Sequence, residues 1–273
     1  MTNIPVRRMA FEFPADVDLV FIKDDPDLSY TFLGTWMMLP YLEPYLIRSI
    51  QGAMAKVTDP ELREDMKRFC AQEGQHFKQH ARANDMIRAR NPGFAKLEAL
   101  EQALDAEFKR FSQTKSLRFN LAYAEGFEAL TAAMSRTQVE VGLFDDPNPL
   151  SQMALWHVME ELEHRNVAFD AYEAAAGGYW YRLFVGIWAQ AHFLSWGARL
   201  AKVMKDADPE AFARFNTPEA KARAKAVRAG YLKKALPRWL AIYLPNYSPR
   251  EMELPAVFQA VRDRFTAQAV SVA

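Results

Sequence analysis

The sequence predicts an all-α protein. Apolar residues recur at the helical period over long stretches, and the 11 Gly and 15 Pro sit mostly at punctuation points. No stretch alternates Val, Ile and Thr in the manner of a strand. Residues 1–27 read as an irregular arm that ends in the acidic run Lys23-Asp-Asp-Pro-Asp27. A first helical region is expected over 28–56, interrupted around Pro40 and Pro44. Thr58-Asp-Pro-Glu61 has the form of a capping box, with Thr58 as the cap. The helix it opens should run to Arg90, where Asn91-Pro-Gly93 stops it. A charged amphipathic helix at 94–113 leads to a long helix at 117–142, and Asp145–Pro149 forms a loop. A fourth long helix is expected over 150–176, ending at Gly177-Gly178. The chain thus divides into an arm (1–27), a helical bundle (28–176) and accessory C-terminal helices (179–273), expected to form a single domain over 1–273.

The segment from Tyr179 to Val203 is rich in apolar and aromatic residues, among them Trp180, Phe184, Trp188, Phe193 and Trp196. It is broken by Arg182, Gln190, His192 and Arg199, whereas a membrane span wants about 20 uninterrupted apolar residues. A buried or interface helix is therefore expected, and the aromatic content makes a homodimer reasonable. Lys221–Arg238 carries seven Lys/Arg and no acid. A solvated helix face is the favoured explanation, with contact to an anionic membrane surface or an acidic partner as the alternative. The 34 basic and 34 acidic residues balance, which argues against a nucleic-acid binder. The single Cys, Cys70, excludes a disulfide framework or zinc ribbon and is expected to be a packing residue. No apolar signal segment opens the chain, so a cytoplasmic location is expected.

The histidines carry the chemistry. Four of the five fall in the windows 73–80 and 157–164. Glu73-Gly-Gln-His76 and Glu161-Leu-Glu-His164 are both Glu-x-x-His on a helix, a spacing that sets the two side chains on one face. Dimetal sites in four-helix bundles take such a pair from each of two helices and a lone Glu from each of the other two. Glu43, 30 residues before Glu73, and Glu128, 33 before Glu161, supply the lone carboxylates. The two halves, with an extra helix between them, predict a ferritin-like bundle. His157 shares a stripe with Glu161 and His164, and about 6 Å along the axis it can reach a metal. His80, about 10 Å beyond Glu73, is expected to line the pocket without reaching the metal.

Four further residues are weighed beside these. Glu125 shares a face with Glu128 and is the weaker candidate, expected in the second layer or pocket, as is Glu160 at the edge of the stripe. Glu163 should point away, solvated or paired, and His192 should be a satisfied core residue. Four carboxylates balance two divalent cations, and two or three imidazoles suit iron, manganese or a mixed pair.

These strings resemble a known family. Cys70-Ala-Gln-Glu73-Gly-Gln-His76-Phe-Lys-Gln-His80, Gly126-Phe-Glu128-Ala-Leu-Thr131 and Trp156-His157-Val-Met-Glu160-Glu161-Leu-Glu163-His164-Arg-Asn-Val-Ala-Phe-Asp170 resemble the bacterial family described as predicted metal-dependent hydrolase, over about residues 20–245. The His157, Glu161, His164 run is also similar to that of p-aminobenzoate N-oxygenase-type diiron enzymes, in which a third histidine joins the ligands. That resemblance carries Glu73 with His76, and Glu43 with Glu128, onto the remaining ligand positions. It implies a diiron oxygenase or oxidase that takes O2, a small organic substrate and electrons from a separate donor. A two-metal hydrolase is the alternative, and a non-catalytic metal-binding protein the third.

Overall fold

The computed structural model describes residues 4–270, and among them every regular element is a helix. The arm has no helix before Pro26, yet it is packed rather than peripheral: Ile4, Val17, Leu19, Phe21 and Ile22 are all buried. Asp25 caps α1 (Pro26–Trp36) by accepting from the Leu28 amide at 2.9 Å. The expected interruption falls at Met37-Met38, ahead of both prolines. Pro40 sits in the first turn of α2 (Leu39–Ala53), where its missing N–H costs nothing, and Pro44 lies inside the helix without ending it.

α3 (Pro60–Arg90) begins one residue later than the capping-box pattern implies. Asp59, not Thr58, is the cap, and its carboxylate accepts from the Glu61 and Leu62 amides. Pro60 explains the shift, because a residue before proline is held extended and so makes a ready cap. A short 3-10 turn, Pro92–Lys96, leads into α4 (Leu97–Thr114). α5 (Leu117–Glu140) is capped by Ser116, whose hydroxyl accepts from the Phe119 amide, and it is buried along most of its length.

The expected helix 150–176 is two helices, α6 (Pro149–His164) and α7 (Val167–Ala175). Between them the Arg165 guanidinium donates to the carbonyls of Leu162 (2.6 Å) and Pro249 (3.1 Å). Those bonds occupy the chain where the helix would have continued. The C-terminal third comprises α8 (Tyr179–Ala207), α9 (Pro209–Ala213), α10 (Pro218–Ala241) and α11 (Phe258–Gln268). Pro237 lies inside α10 without ending it. No helix is long and apolar enough to cross a membrane among the described residues.

α2, α3, α5 and the α6–α7 pair pack on one another around an aromatic and aliphatic core that includes Tyr45, Phe69, Tyr123 and Trp156. α8 runs along the outside, seated against α1 and α5. Two close approaches fix that seat. A Cβ on Gly126 would lie 2.3 Å from Gly186 Cα, and one on Gly34 would lie 2.5 Å from the Ala201 amide nitrogen. Glycine at these crossings lets the helix backbones meet directly. The result is a rigid frame in which one stripe of each bundle helix faces a common interior.

Candidate metal centre

Each of the four bundle helices turns an acid or an acid–histidine pair into that interior. α2 brings Glu43, α3 brings Glu73, His76 and His80, α5 brings Glu128, and α6 brings His157, Glu161 and His164. Glu43, Glu73, His76, His80, Glu128, Glu161 and His164 are all at most 2% exposed, and only the His157 side chain retains some access, at 13%.

The side chains converge. His76 Nδ1 lies 3.4 Å from Glu73 Oε1 and 3.7 Å from Glu161 Oε1. His164 Nε2 lies 3.4 Å from Glu73 Oε1 and 3.5 Å from both Glu128 Oε2 and Glu161 Oε1. His157 Nε2 lies 3.2 Å from Glu161 Oε1. Four sets of three donors have their ligand atoms within 4.8 Å of one another: Glu73, Glu161, His164; Glu43, Glu73, His76; His76, His157, Glu161; and Glu43, His80, His157. Adjacent sets share Glu43, Glu73, Glu161, His76 or His157, so the donors form one continuous cage.

Many of the atoms that face inward lack hydrogen-bond partners among the described residues. Both oxygens of Glu43 and of Glu128, Glu73 Oε1, Glu161 Oε2, His76 Nδ1 and His164 Nε2 are buried and unpartnered. Burying a polar atom without a partner costs about 1–3 kcal/mol, and more for a charge. So many, aimed at one point from four helices, fit cations that would use those lone pairs.

The electrostatics agree. Burial, and then the charge of Glu73, push the Glu43 carboxyl well above the usual range. Burial and the neighbouring Glu161 push Glu128 up to about 8. Burial pulls the two imidazoles of the Glu-x-x-His pairs down, but the carboxylates around them outweigh it, and His76 and His164 both end well above their ordinary value. Burial raises Glu161, yet His164 and His157 pull it well below. His80 and His157 are lowered by burial and by neighbouring imidazoles. An excess of acid is thus concentrated where water cannot neutralise it, a charge balance suited to divalent cations.

A second layer holds the imidazoles in place. His76 Nε2 sits 3.2 Å from Glu160 Oε2, and His164 Nδ1 sits 3.0 Å from Gln72 Oε1. The Gln72 amide donates onward to Glu163 at 2.8 Å and to the Pro5 carbonyl at 2.9 Å. Arg7, 3% exposed, donates to Glu160 at 2.9 Å and to Glu163 through two bonds of 2.8 Å. Arg262 on α11 donates to Glu163 at 2.9 Å.

Set against the sequence, six of the seven expected ligands fall in the four donor sets, and Glu128 borders them 3.5 Å from His164 Nε2. His80, expected to line the pocket, places its Nε2 2.8 Å from His157 Nδ1, and it also falls in one of the four candidate donor sets. Helical side chains lean toward the N-terminus, so His80 covers the turn on its Glu73 side, which the axial rise alone ignores. Glu160 contacts His76 as a neighbour of the cage. Glu125 does not belong there; it is held at 2.9 Å by Arg182 in the α5–α8 seam and is raised to about 7 by burial, which Arg182 only partly offsets. Glu163 is paired, as one expectation had it, but buried rather than solvated. His192 is satisfied by the Tyr123 hydroxyl (2.8 Å) and Glu107 (3.1 Å). The Cys70 thiol is pushed up to about 12 by burial, consistent with packing. Arg7, Gln72 and Arg262 carried no sequence signal, because their roles depend on contacts between distant segments.

A buried carboxylate–imidazole cage inside an all-helical bundle defines a class of metal-dependent protein. Residues 5–253 match the family described as predicted metal-dependent hydrolase, and the chain belongs to that family. No curated protein and no solved structure matches it. The family corrects the expected diiron oxygenase or oxidase activity in favour of the hydrolase alternative. The physical reason is that oxygen and nitrogen donors alone do not distinguish a redox centre from a Lewis-acid centre.

Proposed function

We propose that the protein is a two-metal hydrolase acting on a small ester, amide or phosphate ester. Glu43, Glu73, His76, Glu128, His157, Glu161 and His164 would hold the cations in a ferritin-like arrangement, with His80 at the margin. The observation that carries this is the set of buried, unpartnered ligand atoms contributed by four helices to one cage. The donor set suits manganese or iron(II), and zinc would serve the same Lewis-acid role.

Held by these residues, such ions would supply Lewis-acid chemistry for hydrolysis. The chain's own contribution is positional. Glu160 and Gln72 fix the outward nitrogens of His76 and His164, so the inward nitrogens stay aimed at the cage. Burial keeps bulk water from the carboxylates and strengthens their charge. His157, the most accessible donor, marks the margin at which a substrate would approach. Next to it, burial and the neighbouring imidazoles hold His80 toward its neutral form, and its Nδ1 has no hydrogen-bond partner among the described residues, so it borders the cage as a neutral imidazole.

The test is to strip the protein with chelator, reload it with manganese or zinc, and follow nitrophenyl acetate and nitrophenyl phosphate hydrolysis together with metal content. Reloading should restore both occupancy and turnover, and Glu161→Gln should remove both. A protein that takes up no divalent cation, or that is fully loaded and leaves both substrates intact, would overturn the proposal.

A further inference from the structure

We infer that α8 and α10 together form a docking surface for an anionic lipid bilayer. α10 is a 24-residue helix whose only buried residues are Ala220, Ala224 and Ala235. Its outward face is not polar: Leu232, Leu236 and Leu240 are 60%, 50% and 55% exposed. At 100° per residue these leucines share one face with Lys221 and Lys225, and Lys233 lies at its edge. On α8, Trp180 and Phe184 are 77% and 76% exposed and stand on the side opposite the buried stripe. The C-terminal end of α10 meets α8 where Gln190 accepts from Trp239 at 2.9 Å, and just past it the Tyr179 hydroxyl donates to the Tyr243 carbonyl at 2.8 Å. The apolar faces therefore border one seam.

Charge selects the occupant. Four of the seven cations between Lys221 and Arg238 are paired: Arg223 with Asp24, Arg228 with Asp25 and Asp27, and Lys234 and Arg238 with Glu140. Among the described residues Lys221, Lys225 and Lys233 make no ion pair, and they lie on the leucine face or at its edge. No Asp or Glu occurs from Trp180 to Lys205 or from Ala220 to Ala241. A second copy docked through this face would bury lysines with no acid on that face to meet them, which is costly. A bilayer with anionic headgroups meets both needs, taking leucine, tryptophan and phenylalanine at the acyl boundary and lysine among the phosphates.

Vesicle co-sedimentation of the full chain tests this. Vesicles of phosphatidylcholine with about 30% phosphatidylglycerol should sediment the protein at least about tenfold more tightly than pure phosphatidylcholine, and about 0.5 M NaCl should abolish the difference. The exposed pairs Lys221→Glu with Lys225→Glu, and Leu236→Ser with Leu240→Ser, should each weaken binding by about tenfold or more while the far-ultraviolet dichroism stays unchanged. Anionic vesicles should also shift tryptophan emission to the blue in the natural protein and less so in Trp180→Phe. No sedimentation with anionic vesicles, or binding indifferent to lipid charge and to both pairs of substitutions, would refute the inference. So would a dimer in sedimentation velocity that Leu236→Ser with Leu240→Ser dissolves, since the face would then belong to a second copy.

Discussion

Replacing Arg7 by Met should destabilise the protein and weaken metal binding together, although residue 7 touches no candidate ligand. The guanidinium bridges two buried carboxylates, Glu160 at 2.9 Å and Glu163 through two bonds of 2.8 Å, and its Nε donates to Thr266 at 3.0 Å. Breaking a buried ion pair from one side costs about 3–5 kcal/mol, because the remaining charge is left without a partner. Glu163 keeps Arg262 and Gln72, whereas Glu160 keeps only His76 among the described residues. The lower end, about 3 kcal/mol, is therefore expected. At about 2–4 °C per kcal/mol for a chain of this size, the melting temperature should fall by roughly 6–12 °C. Glu160 and, through Gln72, Glu163 orient His76 and His164, so manganese affinity should fall about 10-fold or more. Thermal unfolding by circular dichroism and competition with a chromophoric chelator measure the two effects. Arg7→Lys, which keeps one charge but loses the fork, should fall between. A melting shift below about 2 °C with unchanged affinity would show that the second layer neither stabilises the fold nor aims the imidazoles.

Gly126→Ala should cost about 1–3 kcal/mol or more, read as a lower urea midpoint, because its methyl would meet Gly186 backbone where neither helix can yield. An unchanged midpoint would mean that α8 is not seated as described. In the metal-stripped protein, stability should fall as pH rises from about 6.5 to 8. Glu125 and Glu128 are raised to about 7 and about 8, and His76 and His164 are raised as well, so the folded state holds more protons than the unfolded chain across that window. Each such group loses its stabilisation as pH passes its folded value, and urea midpoints at the two pH values should decline; a rise would contradict the sign. His157→Ala should lower the bound metal below that of the unsubstituted protein by elemental analysis, whereas His192→Ala, outside the cage, should leave it unchanged.

Helical periodicity made the fold class and the candidate donors legible, because both are properties of single helices. Glu73 with His76, and Glu161 with His164, follow from 3.6 residues per turn, and the echo of Glu43 and Glu128 follows from helices returning to the same height. What stayed hidden depends on contacts between helices or on backbone caps. Asp59 rather than Thr58 caps α3 because Pro60 constrains its neighbour, and α6 ends at His164 because Arg165 binds carbonyls that include one from Pro249. Glu125 and Glu128 share a face and could be ranked but not placed. Arg182, 57 residues away, is what draws Glu125 into the α5–α8 seam.

The arm and the last helix have a part in the cage that their position in the chain conceals. Arg7 joins Glu160 and Glu163 to Thr266, Arg262 on α11 meets the same Glu163, and the Val270 amide donates to the Arg8 carbonyl at 2.9 Å. Both ends of the described chain thus close on α6 immediately behind His164 and His76. The cage concentrates acid that only cations can neutralise without cost, so binding free energy becomes folding free energy, growing as RT ln(1 + [metal]/Kd). A metal held at 100 times its Kd should add about 2.7 kcal/mol, and that increment should reach the terminal segments as well as the bundle. Hydrogen exchange then discriminates between two architectures. If the termini are part of the metal chemistry, adding manganese to stripped protein protects amides near Arg8 and in α11 along with those around Glu73 and Glu161. If they are only packed against it, protection stops at the four bundle helices.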